Sequence, residues 1–325
     1  MTAPLDVDPT AHGAAQDTDA GAGVTQAKAI EGRSLGQIAW MRLKRDRVAV
    51  AGAVFVVLLF LVAILAPVLA NHDPDQLNTN LLDINNGGIP KGSFGGISGQ
   101  HWLGVEPSLG RDVYSRIVYG ARISLLIAIP ATLVSVVIGG IAGVTAGYFG
   151  GKIDGAISRV MDVLLAFPVL VFSIALLAVA DNVNRELLLI LVIGFFGWPY
   201  IGRIVRGQTL SLREREFVDA ARSLGAGNGH IIFRQLLPNL FAPLLVYATL
   251  IIPTNILQEA ALSYLGVGIR PPTASWGQML SAAVPWSAVD PTFMAVPGLA
   301  LFITVLAFNL FGDGLRDALD PRSSR

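Results

Sequence analysis

The apolar run "VAVAGAVFVVLLFLVAILAPVLA", Val48 to Ala70, decides the class of this protein. It contains 23 residues and no charge. As a helix rising about 1.5 Å per residue it would reach roughly 34 Å, enough to cross a hydrocarbon core of about 30 Å. A signal peptide would have a shorter apolar core, of about 7–15 residues, close to the first residue. The run is therefore a retained membrane span.

The composition of the whole chain agrees with a membrane protein. Hydrophobic residues make up 53% of the 325 residues and charged residues 14%, whereas a soluble domain carries roughly 25% charge. The net charge is zero, which gives no indication of a nucleic-acid partner. Cysteine is absent, so disulfides and thiolate metal sites are excluded. The four histidines are far apart in sequence, and we expect no metal site built from several of them.

Five further apolar segments are long enough to be spans. Several contain proline, which membrane helices tolerate because neighbouring groups satisfy the freed carbonyl. Gly139, Gly143 and Gly147 recur at a spacing of four residues, and this predicts a smooth face on which another helix can pack closely. The five segments are Ile123–Ala146, Val160–Ala180, Leu187–Val205, Leu240–Leu257 and Met294–Phe311.

Charge asymmetry predicts the orientation of these six spans. With both termini in the cytoplasm, 17 of the 23 Lys and Arg residues lie on the cytoplasmic side, as the positive-inside rule requires. On the outer side, Trp276 and Trp286 are expected at the membrane–water interface, which indole rings favour. The predicted parts of the chain are a disordered tail (1–36), the first span with a long outer loop (37–117) and a core of five spans (118–325).

A polar segment, "EFVDAARSLGAGNGHIIFRQLLPN" (Glu216 to Asn239), interrupts the core on its predicted cytoplasmic side. The pattern predicts a helix over Leu212–Leu224, with acids at its positively polarised start. Gly225 stands where helices commonly end with positive φ, and a second amphipathic stretch leads to Pro238. The first helix carries a predicted apolar stripe of Phe217, Ala220, Ala221 and Leu224.

Two interpretations of this hairpin follow from the residues alone. It is either a solvated loop with helical tendency or a surface that docks into a groove of a partner protein. The combination of paired alanines, a turn glycine and Leu237-Pro238 favours docking, because small residues permit close backbone approach. The residues alone therefore predict a polytopic membrane protein with a cytoplasmic docking hairpin.

The hairpin resembles the EAA loop of ABC importer permeases, whose pattern is Glu-Ala-Ala, three residues, Gly, nine residues, Ile, one residue, Leu-Pro. Here Asp219-Ala220-Ala221, Gly225 and Leu237-Pro238 keep that spacing. Two positions depart from the pattern: Asp219 replaces the usual glutamate, and Gln235 replaces the usual isoleucine.

Three further blocks are similar to the C-type permease subunit of the dipeptide, oligopeptide and nickel importers. The resemblance covers roughly residues 40–325 and implies an all-α membrane protein with six transmembrane helices in the type I ABC importer permease fold. The blocks are "HWLGVEPSLGRDVYSRIVYGARISLL" (His101–Leu126), "AALSYLGVGIRPPTASWGQML" (Ala260–Leu280) and "GDGLRDALDPR" (Gly312–Arg322).

The resemblance implies a non-catalytic pathway subunit in the bacterial cell membrane. Its expected partners are a homologous B-type permease, two ABC ATPase subunits and an extracytoplasmic solute-binding protein. ATP and Mg would be bound by the ATPases, and this chain would hold no cofactor or metal. In agreement, "AGYFGGKI" (Ala146–Ile153) lacks the first glycine and the Ser/Thr of a phosphate loop. Coupling to the ATPases is assigned to the EAA loop, 212–239, and within it to Glu216, Asp219, Ala220, Ala221, Gly225, Leu237 and Pro238.

The sequence does not identify substrate-binding residues. It also leaves open whether the cargo is dipeptides or oligopeptides, or instead nickel chelates, haem or another small solute. An ion-coupled secondary transporter is disfavoured, because such carriers need ionisable groups within their spans. The two candidates, Asp162 and Glu259, are near span ends and are assigned to the interface.

Overall fold

A computed structural model describes residues 35–180 and 183–319. Residues 1–34 of the predicted tail lie outside the described residues. The regular secondary structure of the described chain is helical apart from one short antiparallel pair of strands, β1 (Leu82–Asp83) and β2 (Ile89–Pro90). The helices are α1 Leu35–Arg45, α2 Arg47–Ile64, α3 Ala66–Leu69, α4 Val113–Phe149, α5 Gly151–Ala166, α6 Val169–Val179, α7 Arg185–Arg213, α8 Glu216–Ser223, α9 Asn228–His230, α10 Leu237–Tyr264, α11 Trp276–Ala283 and α12 Pro291–Leu319.

Five helices of the described chain are long and apolar enough to cross a membrane: α2, α4, α7, α12 and the continuous helix that contains α10. The predicted third span, Val160–Ala180, differs from a straight helix. It is divided between α5 and α6, which meet at an angle of 82°. The cause is Pro168, which disfavours helical geometry at the preceding residue, so that Phe167 is extended. Counted as one bent span, α5 and α6 bring the number of candidate spans in the described chain to six.

The most extensive contact in the helical bundle joins α4 to α7 through the predicted glycine face. A Cβ atom placed on Gly139 would lie 2.7 Å from the carbonyl oxygen of Trp198, and one on Gly143 would lie 2.6 Å from that of Gly202. On Gly147, it would lie 2.7 Å from the Cβ of Thr209. Only glycine permits this backbone approach, and the prediction of a packing face is confirmed.

The remaining long helices surround this pair. Helix α10 contacts α4 and α12, while α2 packs between α4 and α12. One buried cluster joins these elements on the α2 side, through Val56, Ala128, Ile256 and Phe308. A second cluster joins α4 to α6, α7 and α10 on the other side of α4. The bundle is therefore built around α4.

At one end of the bundle, here called the loop end, segment 70–112 and α11 pack on the first turns of α4. The side chain of Arg116 is wholly buried there. It donates to Gln278 Oε1 at 2.8 Å and to the carbonyl oxygen of Pro272 at 3.1 Å. Beside it, Arg111 and Glu106 form a buried bidentate salt bridge. Arg111 Nε donates to Oε2 at 2.6 Å, and Nη2 donates to Oε1 at 2.9 Å. Ion pairing and hydrogen bonds offset part of the cost of burying these charges, while Arg116 Nε has no hydrogen-bond partner within the described residues.

Two residues assigned to the membrane interface are instead buried. The indole of Trp276 is 1% exposed, packs against Gly120 and donates to the carbonyl oxygen of Ile117 at 3.1 Å. Glu259 is fully buried, and it accepts hydrogen bonds from the hydroxyls of Ser124 and Ser263 at 2.7 and 2.8 Å. The interfacial assignment was wrong for both, because the partners that bury them come from other parts of the chain.

We predict that Gly143→Ala lowers the thermal stability of the purified protein. The added methyl group would collide with the α7 backbone, and such overpacking costs about 1–3 kcal/mol. Gly140→Ala is the matched control, because a Cβ there has no neighbour within 4 Å and alanine favours the helix by about 0.5–1 kcal/mol. Thermal unfolding in detergent should separate the two variants; equal midpoints would contradict the close-contact interpretation.

Candidate functional site

The polar segment forms a compact helical hairpin at the other end of α4, here called the hairpin end. Helix α7 stops at Arg213, and α8 begins three residues later at Glu216. A turn then leads to α9, which continues through a π-helical segment, Ile231–Leu236, into α10. Helix α4 has 37 residues and is about 55 Å long, so the hairpin and the loop end lie far apart.

The turn of the hairpin is a Schellman motif centred on Gly225. Its φ is +81°, the left-handed conformation that glycine adopts without steric cost. The amide of Gly225 donates to the carbonyl of Arg222 at 2.9 Å, and that of Ala226 donates to the carbonyl of Ala221 at 3.0 Å. The sequence prediction of a positive-φ glycine at this position is confirmed.

Helix α8 has two apolar faces instead of the single predicted stripe. Val218 and Ala221 face the protein, where they join a buried cluster with Ile231 and Leu236. Phe217 and Ala220 face outward, and Leu224 is 88% exposed. The predicted stripe omitted Val218, which is the residue that fixes the inward face. The outward face remains uncovered in the described chain.

The uncovered face borders an open depression of about 580 Å³. Its position between α8 and the π-helical segment gives it an apolar floor and small residues at the turn. Its lining residues are Phe217, Ala220, Ala221, Leu224, Gly225, Ala226, Gly227, His230 and Gln235.

Polar bonds hold the hairpin to the last turn of α4. The hydroxyl of Tyr148 hydrogen-bonds to Asn228 Oδ1 at 2.8 Å. Arg213 donates to the carbonyl oxygen of Gly147 at 2.9 Å and to Glu214 at the same distance. The two α4 partners, Gly147 and Tyr148, are more than 60 residues away from Arg213 and Asn228, and sequence reasoning missed these contacts. The hairpin is therefore fixed at its base while its outward face stays free.

The second arm of the hairpin is one continuous helix with the membrane span that follows. It runs from Asn228 to Tyr264 without a break. In the π-helical segment the amide of Leu237 donates to the carbonyl of Ile232, five residues back. Pro238 lies at the second position of α10 and does not interrupt the helix. The hairpin and this span are thus parts of one helix.

The structure gathers the predicted coupling residues at the hairpin but gives them different environments. Glu216 and Asp219 occupy the exposed first turn of α8, and Asp219 pairs with Arg222 at 3.2 Å. Leu237 is half-buried, whereas Pro238 is exposed. At the position of the usual isoleucine, Gln235 lines the depression while its neighbour Leu236 fills the core.

The long apolar helices and the hairpin between two of them define a helical membrane permease, and comparison with known proteins agrees. A family model described as "Binding-protein-dependent transport system inner membrane component" matches residues 135–325. A second, the "N-terminal TM domain of oligopeptide transport permease C", matches residues 34–87. The chain belongs to the family of inner-membrane components of binding-protein-dependent transport systems.

Curated relatives match nearly the whole chain. The dipeptide transport system permease protein DppC of Alkalihalophilus pseudofirmus is 39% identical over 285 residues, covering 87% of this chain and 89% of the relative. The glutathione transport system permease protein GsiD of Escherichia coli O6:K15:H31 is 42% identical over 283 residues, with the same two coverages. The ion-coupled secondary transporter is therefore set aside.

The fold is also found in a solved transporter. An inward-facing crystal form of the MetNI methionine ABC transporter aligns with a TM-score of 0.51 and 22% sequence identity. The alignment covers 63% of this chain and 96% of the matched chain. The type I importer permease fold predicted from the sequence is confirmed.

Proposed function

We propose that this chain forms, with a homologous permease subunit, the translocation pathway of an ATP-driven importer of dipeptides and other short peptides. Two ABC ATPase subunits would bind ATP and Mg in the cytoplasm, and a solute-binding protein would deliver cargo on the other side. The chain itself would do no chemistry. The observation that carries this proposal is the uncovered apolar face of α8, which packs against a helix continuous with a membrane span.

The uncovered surface supports docking of an ATPase more than a solvated loop. The exposed residues include Leu224 and Phe217. A loop surrounded only by water gains no stability from exposing such large apolar side chains. The inward face and the bonds to α4 make the hairpin stiff, so that a force applied to it would not be lost in bending. Coupling is accordingly assigned to the seven predicted residues, from Glu216 to Pro238.

The cargo class rests on the relatives. One is named for dipeptides and the other for glutathione, and both match the chain over almost its full length. Nickel chelates, haem or another small solute remain the alternative, because the same architecture could serve them and no pathway residue distinguishes the cargoes.

The orientation is part of the proposal. Most Lys and Arg residues lie on the side that carries the hairpin, and α1 ends with a basic turn of Arg42, Lys44 and Arg45. By the positive-inside rule this side is cytoplasmic. Both termini would then face the cytoplasm, and the loop end would face the solute-binding protein.

We predict that single cysteines report this orientation without background labelling, because the natural chain has none. In intact spheroplasts a membrane-impermeant maleimide should label Ile84→Cys, which replaces a residue 75% exposed at the loop end, and spare Leu224→Cys. Inverted vesicles should give the opposite pattern. Labelling of Leu224→Cys in intact spheroplasts would place the hairpin on the outer side of the membrane and contradict the proposed orientation.

We predict that Leu224→Asp weakens association with the ATPase subunits by about thirtyfold or more. An unpaired carboxylate in an apolar contact costs about 2 kcal/mol or more. Ile84→Asp, an equally drastic change of an exposed apolar residue at the loop end, should leave association unchanged. Co-purification of the ATPases from detergent-solubilised membranes is the measurement. Full recovery with Leu224→Asp would exclude this face as the docking surface.

We predict that dipeptides stimulate ATP hydrolysis by the complete transporter in proteoliposomes that contain its solute-binding protein. Free amino acids, nickel chelates and haem serve as comparison solutes in the same assay. Stimulation by one of these and not by dipeptides would overturn the peptide assignment while leaving the importer architecture intact.

A further inference from the structure

Two histidines and an aspartate that are far apart in sequence meet at the loop end. His72 follows α3, His101 lies in the loop that precedes α4, and Asp112 is the N-cap of α4. Their candidate ligand atoms all lie within 4.8 Å of one another. The sequence analysis expected no metal site built from several histidines, but His72 and His101 meet in the fold despite their distance in sequence.

Both imidazoles approach the same carboxylate oxygen. His101 Nδ1 is 2.8 Å from Asp112 Oδ1, and His72 Nδ1 is 3.9 Å from it. Ligand atoms around a tetrahedral zinc ion, bound at about 2.0–2.2 Å, are roughly 3.4 Å apart. The observed spacings lie on either side of that value, so small side-chain shifts would suffice to enclose an ion.

Two of the three groups are already fixed. Asp112 accepts the backbone amide of Ser115 with its other oxygen, Oδ2, at 2.7 Å, which leaves Oδ1 directed at the histidines. Such hydrogen bonds to the second oxygen orient carboxylate ligands. Both Asp112 and His101 are buried, with side chains 1% and 7% exposed. Their Nδ1 and Oδ1 atoms share a buried hydrogen bond, whose proton an ion bound by both atoms would displace.

The third group, His72, can complete the site. Its side chain is 26% exposed, and its ring stacks on that of His101 with centroids 4.5 Å apart. Its Nδ1 atom is nevertheless buried and has no hydrogen-bond partner within residues 35–180 and 183–319. A ring that turns out of the stack would bring this unsatisfied nitrogen toward Asp112. Its partial exposure gives an ion and a water ligand access from solvent.

From this geometry we infer that His72, His101 and Asp112 form a binding site for one divalent transition-metal ion, with water as a further ligand. Imidazole nitrogen with a single carboxylate suits zinc and its first-row neighbours better than magnesium or calcium, which take oxygen ligands. The ion would tie the segment after α3 to the start of α4. This site is separate from the hairpin and does not depend on the proposed cargo or on the ATPases.

The test is a zinc titration of the full chain in nanodiscs, purified with a histidine-free affinity tag and stripped of metal. Calorimetry should show one Zn²⁺ per chain. His72→Ala should weaken that binding by about tenfold or more, since changes even outside the first ligand shell cost about 10–100-fold. The truncation removes a nitrogen that makes no hydrogen bond, so the fold should be retained.

Two further variants complete the design. Asp112→Asn keeps an oxygen to cap α4 but loses the charge, and should also weaken binding by about tenfold or more. His230→Ala removes an exposed histidine at the hairpin end and should leave zinc affinity unchanged. The inference is overturned if the natural chain binds no stoichiometric zinc, if His72→Ala binds it as tightly, or if His230→Ala loses it.

Discussion

The rest of this structure depends on the contact between α4 and α7. Lipid tails are as apolar as the helix surfaces, so helices in a bilayer associate through close packing and not through a hydrophobic drive between them. Glycines on α4 let the two backbones approach, with Gly143 facing Gly202. That contact sets the end of α4 beside the end of α7, where Tyr148 and Arg213 fasten the hairpin. A loosened helix pair would therefore displace the hairpin as well.

The two ends of the bundle are built on different principles. At the hairpin end an apolar cluster supports α8 and leaves its outward face open. At the loop end buried charges dominate, with Arg111 paired to Glu106 and Arg116 bonded to Gln278. Buried charge networks of this kind tolerate little rearrangement, because breaking one bond leaves an uncompensated charge. Separating these buried pairs at the loop end would therefore be costly.

Much of this architecture could be predicted from local sequence. Apolar run length gave the spans, the four-residue spacing gave the packing face at Gly143, and the turn at Gly225 followed from its place after a helical pattern. Pro168, which causes the bend between α5 and α6, is visible in the sequence. A hydropathy average over the whole apolar segment does not reveal that bend. The inward role of Val218 and the burial of Glu259 could not be predicted, because the residues that enclose them lie elsewhere in the chain.

The unbroken helix from Asn228 to Tyr264 has a mechanical consequence. Near its far end, Glu259 is tied to Ser124 of α4 by a buried hydrogen bond. From the hairpin to that tie the rod measures about 46 Å, at about 1.5 Å per residue. If this helix is held at the Glu259–Ser124 hydrogen bond and displaced at the hairpin, its displacement is largest near the hairpin. Movement of this helix would then be largest at the hairpin end and smallest at the loop end.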